Sequence, residues 1–134
     1  VKDVDFGNGE IRLRRGKGGR DRVTILPELG RRSLCSHLHR MKDRHARELN
    51  AGGGHVSLPD ALFRKYPGAS REWVWQYVFA SRRLRRDART GNEVREHLHP
   101  TVVQRAFRAA VLRVGISKRA TCHTLRHCFA THLL

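Results

Sequence analysis

The first 27 residues alternate apolar and polar positions, and turn residues separate the alternating runs. Val4 and Phe6 alternate with polar residues near the start of the chain, and apolar side chains alternate in the same way in the runs EIRLRR and RVTILP. The GNG run at 7–9 and the GKGG run at 16–19 suit tight turns, because glycine adopts positive φ at little cost. This pattern predicts a three-stranded antiparallel meander over residues 1–27.

The apolar period then changes from two to that of a helix. The recurring positions, at spacings of four, three, four and four, are Leu34, Leu38, Met41, His45 and Leu49. They predict one long helix over residues 28–49. The glycine-rich run at 50–60 predicts a flexible linker or loop, and ALFRKY before Pro67-Gly68 allows only a short helix.

Aromatic and β-branched residues fill the run REWVWQYVFAS at 71–81. Their period of two predicts a strand with four aromatic side chains on one face. Those side chains are Trp73, Trp75, Tyr77 and Phe79. The arginine-rich run at 82–97 predicts a polar loop or a hairpin that turns at TGN, residues 90–92.

Two further helices are predicted in the last third of the chain. Pro100 begins the first, Gly115 ends it, and an apolar stripe runs between them. Thr121 or Cys122 is a suitable cap for the second helix. Four residues of that helix are predicted to face a core: Leu125, Cys128, Phe129 and Leu133. The opposite side carries His123, Arg126, His127 and Ala130.

Composition narrows the possible partners. Lys and Arg outnumber Asp and Glu by 28 to 12 in 134 residues, a net charge of +16. The excess predicts a polyanionic partner, with nucleic acid first. A membrane surface is the second possibility, which the absence of a long apolar run disfavours. Three cysteines without close pairing, at positions 35, 122 and 128, indicate a reduced, cytoplasmic setting.

His123 and Arg126 are three residues apart on the last predicted helix, so both side chains can point at one anion. The alternative is a solvated face that carries incidental charges. A metal site would draw on His123, His127 and His132 beside Cys122 and Cys128. It is disfavoured, because no acidic residue stands between the histidines and no CxxC occurs.

Lys17 lies in the glycine-rich connection, with Arg15 before it and Arg20 and Arg22 after it. It suits a slender basic finger that reaches a phosphate, although a solvated turn is also basic. The order of residues excludes a P-loop. The aromatic run precedes five arginines between residues 82 and 89, so an exposed aromatic ring could stack on an unpaired base. The alternative is that these aromatic residues are core.

Four runs of the sequence, which make up three motifs, carry a family resemblance. HTLRHCFATHLL is similar to the second conserved box of tyrosine recombinases, and GKGGRDRVTILP resembles the β-hairpin of the same catalytic domain. The runs LPDALFRKYPGASREWVWQYVFAS and REHLHPTVVQRA resemble the segment that distinguishes integron integrases. The likeness covers essentially the whole chain. It implies an α+β fold that is mainly helical with a small antiparallel sheet.

The resemblance also implies an activity, the capture and exchange of integron gene cassettes. Strands would be cut and rejoined through a 3′-phosphotyrosine, without metal or nucleotide cofactor. DNA would be the partner, as folded single-stranded cassette sites and duplex attachment sites, and the subunits would assemble as a tetrameric synapse. By motif match, Lys17 is the general acid and His123 and Arg126 form the HxxR pair.

The same likeness divides the chain and assigns DNA contacts. Residues 1–27 carry the lysine hairpin, residues 57–100 the integron-specific insertion, and residues 101–134 the helices with the HxxR box. The implied or candidate DNA-binding residues are Arg15, Arg20, Arg22, Trp73, Trp75, Arg82, Arg83, His97, His99 and His127. Ala80 and Glu96 depart from the family's usual Pro and His, which puts recognition of the cassette site in question.

Both ends of the sequence lack start and stop signals, so we expect an internal piece of a longer bacterial protein. Tyr66 and Tyr77 are the only tyrosines, and neither lies in a matching motif. The chain alone is therefore expected not to cleave DNA. The rivals are a non-catalytic DNA- or RNA-binding module and a phage-type or Xer-type recombinase.

Overall fold

A computed structural model describes residues 1–14 and 17–132 of the chain. The chain forms two compact units, Val1–His97 and Leu98–Leu134. The elements of the first are β1 (Val4–Asp5), β2 (Glu10–Leu13), β3 (Arg22–Ile25), α1 (Glu28–Asn50), α2 (Asp60–Lys65), β4 (Ala80–Arg86) and β5 (Glu93–His97). Those of the second are α3 (Pro100–Arg113) and α4 (Cys122–His132).

The predicted meander is confirmed. Strands β1, β2 and β3 form an antiparallel sheet in chain order, with Ile11 opposite both Val4 and Thr24. The first strand is shorter than predicted, because the residues before Val4 make other bonds. The backbone N–H of Lys2 donates to the carbonyl of Val74 at 3.0 Å, outside the sheet.

The long helix is also confirmed, as α1. Its apolar stripe buries Leu38 and His45, which are two turns apart on one face. Carbonyl groups in the last turn of α1 find hydrogen-bond donors in the loop that follows. The N–H of Ala51 donates to the carbonyl of Arg47, and the N–H of Gly53 donates to that of Glu48.

The loop after α1 supplies much of the core of the first unit, which its composition did not predict. Val56 and Leu58 are buried there with Ala69. Leu62, Phe63, Trp75 and Tyr77 pack against these three residues. The loop is held at both sides, because the N–H of Val56 donates to the carbonyl of Ser70 and the N–H of Arg95 to that of His55.

The strand predicted over the aromatic run is wrong. Trp73–Trp75 forms a 3₁₀ turn, and extended structure begins only at Ala80. The reason is Gln76, which is buried with its side-chain amide N 3.0–3.3 Å from the carbonyls of Gly54, Ser70 and Glu72. Burying this polar residue fixes an irregular backbone, so the four aromatic side chains do not share one strand face.

The arginine-rich run forms a hairpin, one of the two predicted alternatives. Strand β4 pairs antiparallel with β5, and Ala80 lies opposite His97. The register shifts between Ala80 and Leu84, so β4 carries a bulge. Asp87 holds the connection, since its backbone bonds to Asn92 and Gly91 and its carboxylate accepts from the N–H of Arg89.

Both ends of α3 and the start of α4 are as predicted. Gly115, at φ 70°, donates to the carbonyl of Leu112, and Ile116 donates to that of Val111, as in a Schellman motif. Thr121 caps α4, because its hydroxyl accepts from the N–H of Thr124 while the hydroxyl of Thr124 accepts from that of Thr121.

The core face predicted for the last helix is not covered. Leu125 is 54% exposed and Phe129 38%, while Leu133 lies outside the described residues. Among the described residues of this unit, none is buried. Two helices alone lack the surface to enclose an apolar face.

Helices and two small antiparallel sheets confirm the α+β fold class.

Candidate active site and nucleic-acid interface

The three proposed catalytic residues are divided between the two units. Lys17 begins a 3₁₀ turn, Lys17–Gly19, in which Gly18 has a φ of 80°. The chain reverses there as the glycines predicted. Arg15 and the side chain of Lys17 lie outside the described residues, whereas Arg20 and Arg22 flank the turn and are exposed.

His123 and Arg126 lie in the first two turns of α4, and both are exposed. The Thr121 cap sets where the helix begins, so it fixes the positions of both residues. The first turn of a helix favours an anion, because its N–H groups point outward along the helix axis. This end of α4 therefore offers His123, Arg126 and the helix dipole on an open surface.

His127 contacts His123 directly. Their Nε2 atoms are 2.8 Å apart, and the rings meet edge to face with centroids at 4.3 Å. One ring donates this hydrogen bond and the other accepts it. In the described part of the chain, no group of three or more His, Cys, Asp or Glu side chains is placed to hold a metal ion.

A groove of about 720 Å³ lies beside His123 within the second unit. Phe107, Val111 and Ile116 line its apolar part. Arg108, Lys118 and Arg119 add positive charge around it. The groove beside His123 is thus basic.

The β4–β5 hairpin presents most of the clustered arginines. Arg82 and Arg83 lie in the bulged part of β4 and are exposed, and neither side chain makes an ion pair within the described residues. Arg86 donates from its Nε to the carbonyl of Gly91, and Arg89 pairs with Asp60 and lies over the ring of Phe63.

Glu96 is paired, which its position in the sequence did not reveal. Its Oε1 accepts a hydrogen bond from Nη2 of Arg85 at 2.7 Å. That bond, together with the charge of Glu96, raises the pKa of the Arg85 guanidinium. Beside it, Tyr77 meets the ring of His97 edge on at 5.6 Å. Burial and the charge of Glu96 raise the pKa of Tyr77.

Both tryptophans of the aromatic run have intramolecular contacts. Nζ of Lys2 lies 3.0 Å from the centroid of the Trp75 ring, which also packs on the core. Trp73 is tilted against the buried ring of His45, whose Nε2 bonds to the carbonyl of Arg71 at 2.8 Å. Both indoles are half-buried.

Phe79 is the aromatic side chain that the structure leaves most open in this run, with 56% of its surface exposed. Its ring stacks on His37 of α1 at 5.3 Å, and Nε2 of His37 bonds to the carbonyl of Val78 at 2.8 Å. The pair forms a fixed, exposed aromatic platform next to the arginines of β4. Sequence reasoning missed it, because His37 and Phe79 are 42 residues apart.

His99 caps α3 instead of pointing freely outward. Its ring Nδ1 accepts from the N–H of Thr101 and lies 2.8 Å from the hydroxyl of the same residue. The sequence-predicted His97 and His99 are therefore both engaged within the chain, one with a ring and one at a helix end. Within the described ranges 1–14 and 17–132, no helix is long and apolar enough to span a membrane.

Comparison with known proteins identifies the family of the chain. Residues 1–134 match the phage integrase family. Proteins named "Integrase/recombinase" from Escherichia coli and Pseudomonas aeruginosa are each 47% identical over 134 residues. The match covers 100% of this chain and 40% of each relative.

A "Tyrosine recombinase" from Pseudothermotoga lettingae is 40% identical over the whole chain, which covers 32% of that protein. The chain thus spans about two fifths of the length of the first two relatives and a third of this one. With the family matched from the first residue to the last, the chain belongs to the phage integrase family of tyrosine recombinases.

Proposed function

We propose that this chain acts in site-specific DNA recombination as the central part of an integron-integrase catalytic domain. The observation that carries the proposal is the exposed HxxR face of α4 in a chain that matches the family throughout. The integron assignment rests on residues 57–100. Their insertion-like sequence folds as the α2 segment and the arginine-rich β4–β5 hairpin.

The proposed chemistry is displacement at phosphorus. A tyrosine hydroxyl attacks the scissile phosphate, the bond from phosphorus to the 5′-oxygen breaks, and a 3′-phosphotyrosine forms. Arg126 stabilises the charge on the non-bridging oxygens, because its planar fork donates two parallel hydrogen bonds. His123 takes up the proton that the tyrosine hydroxyl gives up, and Lys17 protonates the leaving 5′-oxygen.

Each of these contacts should matter strongly for rate. Removing one donor to a developing oxyanion slows an enzyme by roughly a hundred- to thousandfold. His127 supports the site by bonding His123, so it sets the orientation of that ring. The reaction as proposed draws on no nucleotide cofactor.

The substrate we propose is DNA, both folded single-stranded cassette sites and duplex attachment sites. Arginines of the meander tip and the hairpin contact phosphates: Arg15, Arg20, Arg22, Arg82 and Arg83. Extrahelical bases would bind near Trp73, Trp75, His97 and His99. Phe79 is the exposed aromatic ring in that part of the surface. Recombination would take place in the bacterial cytoplasm within a tetrameric synapse.

The substrate is tested by binding at matched salt. Fluorescence anisotropy compares a folded single-stranded hairpin that carries extrahelical bases with a plain duplex of equal length. The proposal expects tighter binding of the hairpin. Equal affinity for the two DNAs would count against the cassette-site role.

We further propose that the chain by itself binds DNA without cutting it. Neither tyrosine of the chain lies in a motif that matches the family's nucleophile: Tyr66 lies at the end of α2, and Tyr77 packs on the core and on His97. A covalent protein–DNA adduct, sought by denaturing electrophoresis with a nicked substrate, would overturn this. An adduct formed by a longer recombinase that contains this chain would in turn exclude the rival of a non-catalytic binding module.

A further inference from the structure

We propose that Glu96 restrains the DNA affinity of the β4–β5 hairpin by occupying the guanidinium of Arg85. This inference deepens the proposed function and rests on it, since it assumes that the hairpin contacts DNA. It assigns Glu96 a specific task, which is to compete with DNA phosphates for one arginine.

The geometry of the pair carries the inference. Arg85 lies opposite Val94 in the antiparallel register, and Glu96 is two residues further along β5. Diagonal neighbours of this kind are within reach of long side chains. Their contact is a charge-assisted hydrogen bond of 2.7 Å between Nη2 and Oε1.

The pair is accessible to DNA. The side chains of Arg85 and Glu96 are 55% and 32% exposed. An exposed ion pair in water is weak, so a phosphate can take the place of the carboxylate. The pair therefore limits the availability of Arg85 without removing it from the surface.

The neighbouring arginines differ from Arg85 in this respect. Arg82 and Arg83 have no carboxylate partner among the described residues, and Arg86 bonds to a backbone carbonyl. Arg95 is buried and holds Glu48. Arg85 is thus the arginine of β4 that pairs with a carboxylate, within the part of the chain that the structure describes.

The consequence is a shift in the electrostatic part of binding. Each phosphate neutralised by a free cation adds about 0.9 to the slope of log K against log salt for duplex DNA, and about 0.7 for a single strand. Removing the competing carboxylate should let Arg85 neutralise up to one further phosphate. Because phosphate contacts carry no base sequence, the gain should be equal on any DNA of the same form.

The experiment compares Glu96→Gln with Glu93→Gln as a matched control. Glu93 is exposed on the same strand, opposite Arg86, and makes no ion pair within the described ranges. Both variants remove one negative charge, but only Glu96→Gln releases Arg85. Binding is measured with the chain on a plain duplex and on a hairpin with extrahelical bases, between 50 and 200 mM salt, with thermal unfolding as a check on folding.

For Glu96→Gln we expect a duplex slope that is steeper by up to about 0.9. The gain in affinity over the unmodified chain should then be up to about threefold larger at 50 than at 200 mM salt. The effect should disappear when Arg85→Gln is combined with it. The control should change the slope by less.

Three results would contradict the inference. If Glu96→Gln and Glu93→Gln behave alike, the carboxylate acts only through net charge. If Glu96→Gln weakens binding of the hairpin DNA alone, Glu96 reads a base, as a carboxylate can by accepting from cytosine. If the unmodified chain binds neither DNA, the proposed function itself fails and takes this inference with it.

Discussion

Trp75 and Phe79 are four residues apart in the same aromatic run, yet their surroundings are opposite. The Trp75 ring is covered by Lys2 on one face and packs on the core, whereas Phe79 is 56% exposed on the ring of His37. An indole that is already in contact has little free face for a base. A fixed, exposed phenyl ring has one, so the two residues should respond differently to truncation.

Phe79→Ala should weaken binding of DNA with unpaired bases. Stacking of a base on an aromatic ring contributes about 1–3 kcal/mol, so the dissociation constant should rise roughly 5- to 150-fold on the hairpin substrate. Plain duplex offers no unpaired base and should be affected much less. Anisotropy titrations on both DNAs measure this, and equal losses on the two would refute a stacking role.

Trp75→Ala is the matched comparison for Phe79→Ala, with folding stability as the measured quantity. Truncating a fully buried aromatic residue costs about 3–5 kcal/mol of folding stability, and the half-buried Trp75 should cost roughly 2–3 kcal/mol. Chemical denaturation gives this loss directly. Phe79→Ala should lose much less stability, because its ring is mostly in water.

His55 predicts a pH dependence of stability. Burial, and then the charge of Arg71, lower the pKa of its imidazole, while Nδ1 lies 3.0 Å from the hydroxyl of Ser70. An unfolded histidine titrates near pH ~6.5, so below that the unfolded chain binds more protons than the folded one. The contribution of His55 is therefore present at neutral pH and is lost as the pH falls through about 6.5 towards the lower folded pKa.

His55→Gln should remove that part of the pH dependence. The difference in unfolding free energy between the unmodified chain and the variant should shrink from pH 7.5 to pH 5. A constant difference across the range for His55→Gln would contradict the argument.

At the scale of elements, local pattern was sufficient where local bonds decide the structure. The meander, α1 and the caps of α3 and α4 follow from alternation, period and glycine or threonine at the ends. The aromatic run failed, because its backbone is fixed by Gln76 reaching back to Gly54, Ser70 and Glu72. A buried amide with several long-range or turn partners leaves no signature in hydrophobic period.

An ion pair between residues far apart in the sequence, Arg95 and Glu48, joins the β4–β5 hairpin to α1. Arg95 is buried, its Nη2 lies 2.5 Å from Oε1 of Glu48, and its Nη1 donates to the carbonyls of Ser81 and Arg82. These two carbonyls belong to the bulged part of β4. One guanidinium thus satisfies the irregular strand and fixes it to the helix.

Glu48→Ala should therefore destabilise the fold strongly. Removing one partner of a fully buried pair typically costs about 3–5 kcal/mol, because the remaining charge is left without its counter-ion. Arg95 is buried but Glu48 is partly exposed, so we expect a loss of roughly 2–4 kcal/mol. The double variant Glu48→Leu with Arg95→Met should lose less stability than Glu48→Ala. Urea denaturation measures both. Equal losses for the single and double variants would show that packing, not the stranded charge, sets the cost.

For the whole molecule, nearness in the sequence decides what a motif can predict of the candidate site. His123 and Arg126 are predicted from one short motif, and both side chains are exposed on α4. The stack of Phe79 on His37 and the pairing of Glu96 with Arg85 needed the fold, because they join residues 42 and 11 positions apart. Motifs report residues near in sequence, while recognition surfaces are assembled across the chain.

The two units also differ in how well they bury their side chains, and this predicts different local stability. Unit Val1–His97 has a buried core, whereas no described residue of unit Leu98–Leu134 is buried. Helices of the length of α3 and α4 are marginal in water when packing does not support them. Their amides should consequently exchange with solvent faster than those in the centre of α1.

Hydrogen–deuterium exchange measured by mass spectrometry tests this difference peptide by peptide. Peptides from residues 100–132 should exchange at least tenfold faster than the α1 peptide around Leu38 and His45, since a tenfold rate corresponds to about 1.4 kcal/mol of opening free energy. Hairpin DNA should slow exchange in α4, where His123 and Arg126 are proposed to grip phosphate, more than in α1. Uniform protection across both units without DNA would mean that α3 and α4 gain their stability from something other than buried side chains.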